Sequence, residues 1–142
     1  MIQGFWQTDP RLILTEEHFG CALLSSCYIA PQDFTPEDVN NLYKALLGVA
    51  FVDEESKILD WDKVVWSISP VMRFKEKAGI GRVCAVNERE ILKWHLSNIN
   101  SDHFTVGNGA SKTVWDSMNR PDIMAKYATF VEKVIIKIGG QA

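Results

Sequence analysis

Apolar positions along this 142-residue chain follow helical spacing in its first part and alternate towards its C terminus. Residues 21–30 (CALLSSCYIA) are nearly all apolar or small, and Pro31 closes the run. A helix apolar on every side is a buried helix, and Ser25 and Ser26 can return their hydroxyls to the preceding turn. The same length also suits a buried strand; helix is the reading adopted. The next helix announces itself locally. Thr35 is a good N-cap, Pro36 fits the first helical position, and Glu37 and Asp38 favour the positive helix end. Val39, Leu42, Tyr43, Leu46 and Leu47 make its apolar stripe, and Gly48 stops it.

Beyond it, residues 60–67 predict a short helix that must end before Pro70, and residues 82–86 a strand. Asn87 with Glu90 has the spacing of a capping box, which predicts a helix carrying Ile91, Leu92, His95, Leu96 and Ile99. Residues 103–106 (HFTV) and 112–115 (KTVW) are β-rich and flank Gly107-Asn108-Gly109-Ala110-Ser111, a hairpin signal. Residues 133–138 alternate as a half-buried strand. Helices mostly first and an antiparallel sheet last predict an α+β fold. With no repeat, linker or low-complexity stretch, residues 1–142 read as one domain.

Composition narrows the class. The chain is 46% hydrophobic and 23% charged, enough for a core without disulfides or metal. Its 15 basic and 18 acidic residues carry a net charge of -3 without a basic stripe, which argues against nucleic acid as a partner. No apolar run approaches the roughly 20 residues that span a bilayer, so no membrane partner is expected. The opening MIQGFWQTDPR lacks the layout of a signal peptide. Cys21, Cys27 and Cys84 form an odd set with no C-x-x-C pair, which predicts free thiols and a cytoplasmic location. Trp66, Trp94 and Trp115 are candidates to line a groove, with core packing expected for at least two.

Candidate chemistry centres on Cys21, which follows Gly20 and opens the buried helix. A thiol in a helix's first turn meets the positive end of the macrodipole, which favours the nucleophilic thiolate. Cys27 and Cys84 read as inert. A nucleophilic Cys needs a base, and the base an acceptor that fixes its tautomer. A hairpin turn centred between Gly109 and Ala110 sets His103 opposite Asp116, within reach of an imidazole-carboxylate bond. A slip of one residue would set Trp115 or Ser117 there instead. His18 and Cys21 share an H-x-x-C spacing, but no second ligand pair accompanies them, so no metal and no cofactor is expected. Glu16 and Glu17 read as solvated, and His95 as a residue of an apolar helix face.

A cysteine at the start of a buried helix, a later histidine at a strand start and an aspartate on the next strand is the papain-like order. More narrowly, Gly20-Cys21, His103-Phe-Thr-Val-Gly107 and Val114-Trp-Asp116 resemble the cysteine peptidases of bacteriocin transporters, which cut after double-glycine leaders. The chain is also similar to small proteins of prophages and spirochaete plasmids, which share an opening like Gln7-Thr-Asp-Pro-Arg11 and an element like residues 34–43 (FTPEDVNNLY). The resemblance covers about residues 5–117. It implies a papain-like fold, an N-terminal buried helix with Cys at its start packed on a C-terminal antiparallel sheet. It makes Cys21 the nucleophile, His103 the general base, Asp116 its orienter, and Gln7 an oxyanion donor beside the Cys21 N–H. The substrate would be a peptide or other amide, with transfer to an acceptor other than water as a variant. Three departures stand out. Thr15 occupies the usual oxyanion glutamine position, Ser117 replaces the proline after the Asp, and residues 98–102 are a polar turn where a strand is usual. These leave a second expectation, a catalytically inactive peptidase-like protein that binds a host protein. The oligomeric state is left open.

Overall fold

The computed structural model describes residues 1–13, 20–54 and 57–139. Helix α1 (Gly20–Ile29) is the apolar segment, and every residue in it except Tyr28 is buried. Ser26 returns its hydroxyl to the Ala22 carbonyl at 2.9 Å, within its own helix. Helix α2 (Pro36–Gly48) starts on a reciprocal cap: Asp38 N donates to the Thr35 hydroxyl, and Thr35 N to the Asp38 carboxylate. Helix α3 (Trp61–Ile68) is capped by Asp60, whose carboxylate accepts from Lys63 N at 3.1 Å, and buries Val64, Val65 and Ile68.

Then come β1 (Met72–Ala78), β2 (Glu88–Leu96), β3 (Ser101–Gly107), β4 (Thr113–Trp115), helix α4 (Pro121–Tyr127) and β5 (Ala128–Ile138). The fold is α+β, with four helices and a five-stranded antiparallel sheet among the described residues. The strand order is β1-β5-β2-β3-β4. The last strand in the chain therefore lies between β1 and β2, and the short β4 forms an edge.

Two sequence expectations are corrected here. Residues 82–86 are not a strand but a loop, tied to the hairpin turn by Cys84 N donating to Gly109 O at 2.9 Å. The segment opened by Asn87 is not a helix but the central strand β2. Its polar signal marks a turn: the Glu88 carboxylate accepts from Ala85 N at 2.8 Å, and Glu88 N donates to Ala85 O. Ile91 and Leu92 are adjacent because β2 is buried on both faces, a pattern that also fits a helix stripe. With β2 a strand, a full strand precedes the His103 segment, and only the tight turn at residues 97–100 separates them. Strand β1 and helix α4 are additions to the predicted set.

Residues directly opposite in an antiparallel ladder share a face. Ile91 pairs with Val106 and Lys93 with Phe104, which places these four on one face. Ile91, Val106, Phe104, Val134 and Ile136 there join Cys21, Leu23, Leu24, Val64 and Val65 in the main core. On the other face, Leu92, Leu96 and Ile135 are buried together with Glu90 and Lys133. Full burial of a charge is tolerated only with a partner. Lys133 Nζ donates to Glu90 Oε1 at 2.7 Å and to Arg82 O at 2.6 Å. The other Glu90 oxygen accepts from Gly109 N at 3.0 Å and Ser111 N at 2.7 Å. A carboxylate of β2 thus holds the turn between β3 and β4. Gly107 is required beside it, since a Cβ there would lie 2.2 Å from the Glu90 carboxylate oxygen.

Candidate active site

The N terminus of α1, the start of β3, the end of β4 and the extended segment around Gln7 meet at one place. Helix α1 runs beside β3, and Ser25 donates its hydroxyl to Phe104 O at 3.5 Å. One turn earlier on the helix, Cys21 lies near enough to His103 for its sulfur to raise the imidazole. On the far side of the ring, His103 Nε2 lies 2.6 Å from Asp116 Oδ1. A carboxylate only accepts, so His103 Nε2 carries a proton directed at Asp116.

The predicted register does not hold, although the two side chains meet. Val106 pairs with Trp115, and the ladder slips before Gly107 pairs with Thr113. Straight extension of that ladder would set Met118, not Asp116, across from His103. The chain instead turns sharply after β4: Asn119 N donates to Asp116 O and Met118 N to Asp116 Oδ1, both near 3 Å. Asp116 opens this turn and points back at the imidazole. Its second oxygen, Oδ2, is buried with no hydrogen-bond partner among the described residues.

Burial alone would push the His103 imidazole down. The hydrogen bonds to Asp116 and Cys21, with their negative charges, outweigh burial and raise it from 6.5 to about 10. At neutral pH the ring is an imidazolium held between a sulfur and a carboxylate. The other two cysteines differ. Cys27 is wholly buried, and burial pushes its thiol far up. Burial, then the charges of Glu90 and Glu88, raise Cys84. All three cysteines are free.

Gln7 is 2% exposed and is held to the residue after Asp116. Its backbone N donates to Ser117 O, and its side-chain oxygen accepts from the Ser117 hydroxyl, both at 2.7 Å. The intervening Asp9-Pro10 segment loops out, with Asp9 N on Trp6 O and Leu12 N on Asp9 O. That looping lets a glutamine so far upstream reach Ser117, the residue after Asp116. Ser117, fully buried, is the residue that sequence reasoning passed over. Its only signal was its position next to Asp116, where it registered as a missing proline.

The aromatic candidates separate. Trp115 is buried, stacked between Tyr28 at 4.6 Å and Trp6 at 5.9 Å, and so packs the wall beside Asp116. Trp94 is half-buried and donates its indole N–H to Thr105. Trp66 is exposed beneath the Arg73 guanidinium. His95 is not on a helix face; it lies on β2 beside Asp102, with Nδ1 3.2 Å from the carboxylate. Thr15, Glu16, Glu17 and His18 lie outside the described residues. Among the described residues no three His, Cys, Asp or Glu side chains converge as a metal site. No helix there is long and apolar enough to cross a membrane.

Fold and site together define an α+β protein in which a cysteine, a histidine and an aspartate converge at a helix N terminus. By sequence, residues 3–138 match a family described as "Protein of unknown function, DUF261", and the chain belongs to that family. No curated protein and no solved structure matches it.

Proposed function

We propose that this chain is a papain-like thiol amide hydrolase of the bacteriocin-processing peptidase type, with Cys21, His103 and Asp116 as its triad. The observation that carries the reading is the His103 imidazole bound to Asp116 at 2.6 Å, with Cys21 near enough to help raise it. The order of the three residues, with Cys21 on α1 and His103 on β3, also agrees with the papain-like resemblance.

The chemistry follows from those positions. The Cys21 thiolate attacks the amide carbonyl carbon, the S–C bond forms, and the carbonyl π pair moves onto oxygen. The Cys21 backbone N–H and the Gln7 amide donate to that oxyanion. As the C–N bond breaks, His103 gives its proton to the leaving amine, which leaves a thioester. Water then gives a proton to His103 and adds to the carbonyl, the S–C bond breaks, and the carboxylic acid departs. Asp116 holds the ring in the tautomer both steps need. An acceptor amine in place of water would make the same site a transferase.

A second reading has one observation in its favour. Cys21 and His103 are each only 3% exposed, as in a site retained as scaffold while the protein binds a partner. Iodoacetamide alkylation across pH, wild type against His103→Ala, separates the two, with Cys27 and Cys84 as internal standards. The hydrolase reading expects Cys21 to be alkylated at least about tenfold faster than either standard near pH 6, where an ordinary thiol is protonated. It expects the advantage to vanish in His103→Ala. Equal rates for the three thiols would select the binding protein.

A further inference from the structure

A cavity of about 720 Å³ lies at the C-terminal end of α1, where the helix faces the turn between β3 and β4 and the loop at residues 82–86. Its walls are mainly apolar, from Tyr28 and Ala30 at the helix end to Val106 on β3 and Val114 on β4. Val83, Val86 and Val114 are exposed there, although valine is a residue type that folding ordinarily buries. This volume and lining suit a small molecule, whose sites run from roughly 300 to 1,000 Å³. Among the described residues, the charged side chains that line the cavity are Glu88 and Arg89. Glu88 is already neutralised. Arg82 donates to it at 2.9 and 3.0 Å and Lys75 at 2.7 Å, which holds its carboxyl well below the usual carboxylate range. Arg82 also takes Glu76 at 2.8 Å, so two cations balance two carboxylates. Arg89 is held differently. Its Nη1 donates to two backbone carbonyls, Val86 O at 3.2 Å and Glu88 O at 2.8 Å. These neutral acceptors fix the guanidinium in place without cancelling its charge, and they engage one end of a fork of five N–H donors.

We propose that this cavity binds a small amphiphile, an aliphatic chain that ends in a carboxylate. The chain lies along Tyr28, Val83, Val106 and Val114, and the carboxylate meets the Arg89 guanidinium. A neutral head group would forgo the charge-assisted bonds, and a cationic one would face a like charge. The occupant is a small molecule rather than a peptide strand. Strand β4, the sheet edge here, has only the three residues Thr113–Trp115 and gives way at once to the turn that Asp116 opens, too short a ladder for an added strand. The site is independent of the hydrolase reading, since its lining includes none of Cys21, His103 and Asp116.

Calorimetric titration of the full chain at neutral pH tests this, with decanoate, octanoate, octan-1-ol and octyltrimethylammonium as probes, each below its micelle-forming concentration. Decanoate is expected to bind about tenfold tighter than octanoate, the scale of two methylenes removed from water. Octanoate is expected to bind about fivefold tighter than octanol, the scale of one good ion pair at a partly exposed site, and octyltrimethylammonium weakest of the four. Arg89→Gln should bring octanoate and octanol to equal affinity while decanoate keeps its advantage over octanoate. Ala85→Trp sets a large ring into the cavity from an exposed position and should abolish binding of all four probes. Urea midpoints of the two variants, compared with wild type, show that each is folded, and Arg89→Gln decides alone if Ala85→Trp is not. No saturable binding of decanoate to wild type would overturn the proposal. So would equal affinities for octanoate and octyltrimethylammonium, or an octanoate preference over octanol that survives Arg89→Gln.

Discussion

Replacing Glu90 by alanine tests both the stability of the sheet and the placing of the site. Glu90 and Lys133 are each 0% exposed. One Glu90 oxygen takes the Lys133 ammonium, and the other takes the Gly109 and Ser111 N–H groups. Removing the carboxylate leaves Lys133 with only the Arg82 carbonyl as partner among the described residues. Breaking a buried pair from one side costs about 3–5 kcal/mol. The two turn N–H groups add little, because Gly109 and Ser111 are half-exposed and water can replace the carboxylate. The expected loss is therefore about 4 kcal/mol, a large share of a total stability of roughly 5–15 kcal/mol. Urea unfolding followed by tryptophan fluorescence measures it. The double variant Glu90→Leu/Lys133→Met removes both charges and keeps volume, so it should recover at least about 2 kcal/mol of that loss. A Glu90→Ala cost below about 1.5 kcal/mol would refute the argument that this pair is dry and fully engaged. A double variant no better than the sum of its singles would do the same.

Two further outcomes follow from the site. His103 is raised in the folded state from 6.5 to about 10, so the stability it gains from Asp116 is full below pH 6.5 and is lost as pH rises through about 10. The stability difference between wild type and Asp116→Asn, from urea melts, should therefore be about 3 kcal/mol near pH 6 and shrink towards zero above pH 10; a difference that grows with pH contradicts the assignment. Ser117→Ala leaves the buried Gln7 oxygen without the hydroxyl that binds it at 2.7 Å, which should cost about 1–3 kcal/mol. Iodoacetamide alkylation of Cys21, which makes no oxyanion, should stay unchanged, while acyl transfer from p-nitrophenyl acetate falls at least about tenfold; parallel losses in both rates would remove Gln7 from the oxyanion role.

What the sequence disclosed follows how local each cause is. Helix α2 was legible because Thr35, Pro36, Asp38 and the stripe from Val39 to Leu46 are all near neighbours along the chain. Strand β2 was not, because its state is set by β5 and β3, which flank it, and no short window contains them. Burial on both faces erased its alternation, and Glu90, a core residue, imitated a helix cap. Strand β1 hid for a related reason, since a bulge between Phe74 and Glu76 breaks its two-residue period. The identities of Cys21, His103 and Asp116 were legible from residue type and order. The ladder that was to bring two of them together was not, because the turn is held by Glu90 from another strand and carries a register slip.

That slip shows how the site depends on distant bonds. In a tight hairpin centred on Gly109 and Ala110, strand pairing alone would set His103 against Asp116. Here the turn is wider, with Gly109 and Ser111 both at positive φ and both donating to one buried carboxylate. The ladder is short, and the chain bends right after Trp115, which leaves Asp116 to reach back as the first residue of the next turn. Three bonds between elements far apart in sequence then locate the reacting groups. Ser25 on the Phe104 carbonyl sets α1 against β3, Glu90 sets the turn that launches β4, and Ser117, the residue beside Asp116, holds Gln7. None of the three involves a residue of the Cys21-His103-Asp116 set. Positioning and chemistry are thus carried by different side chains, so Glu90→Ala should lower Cys21 reactivity in the molecules that remain folded, and Thr35→Ala at the far cap of α2 should not.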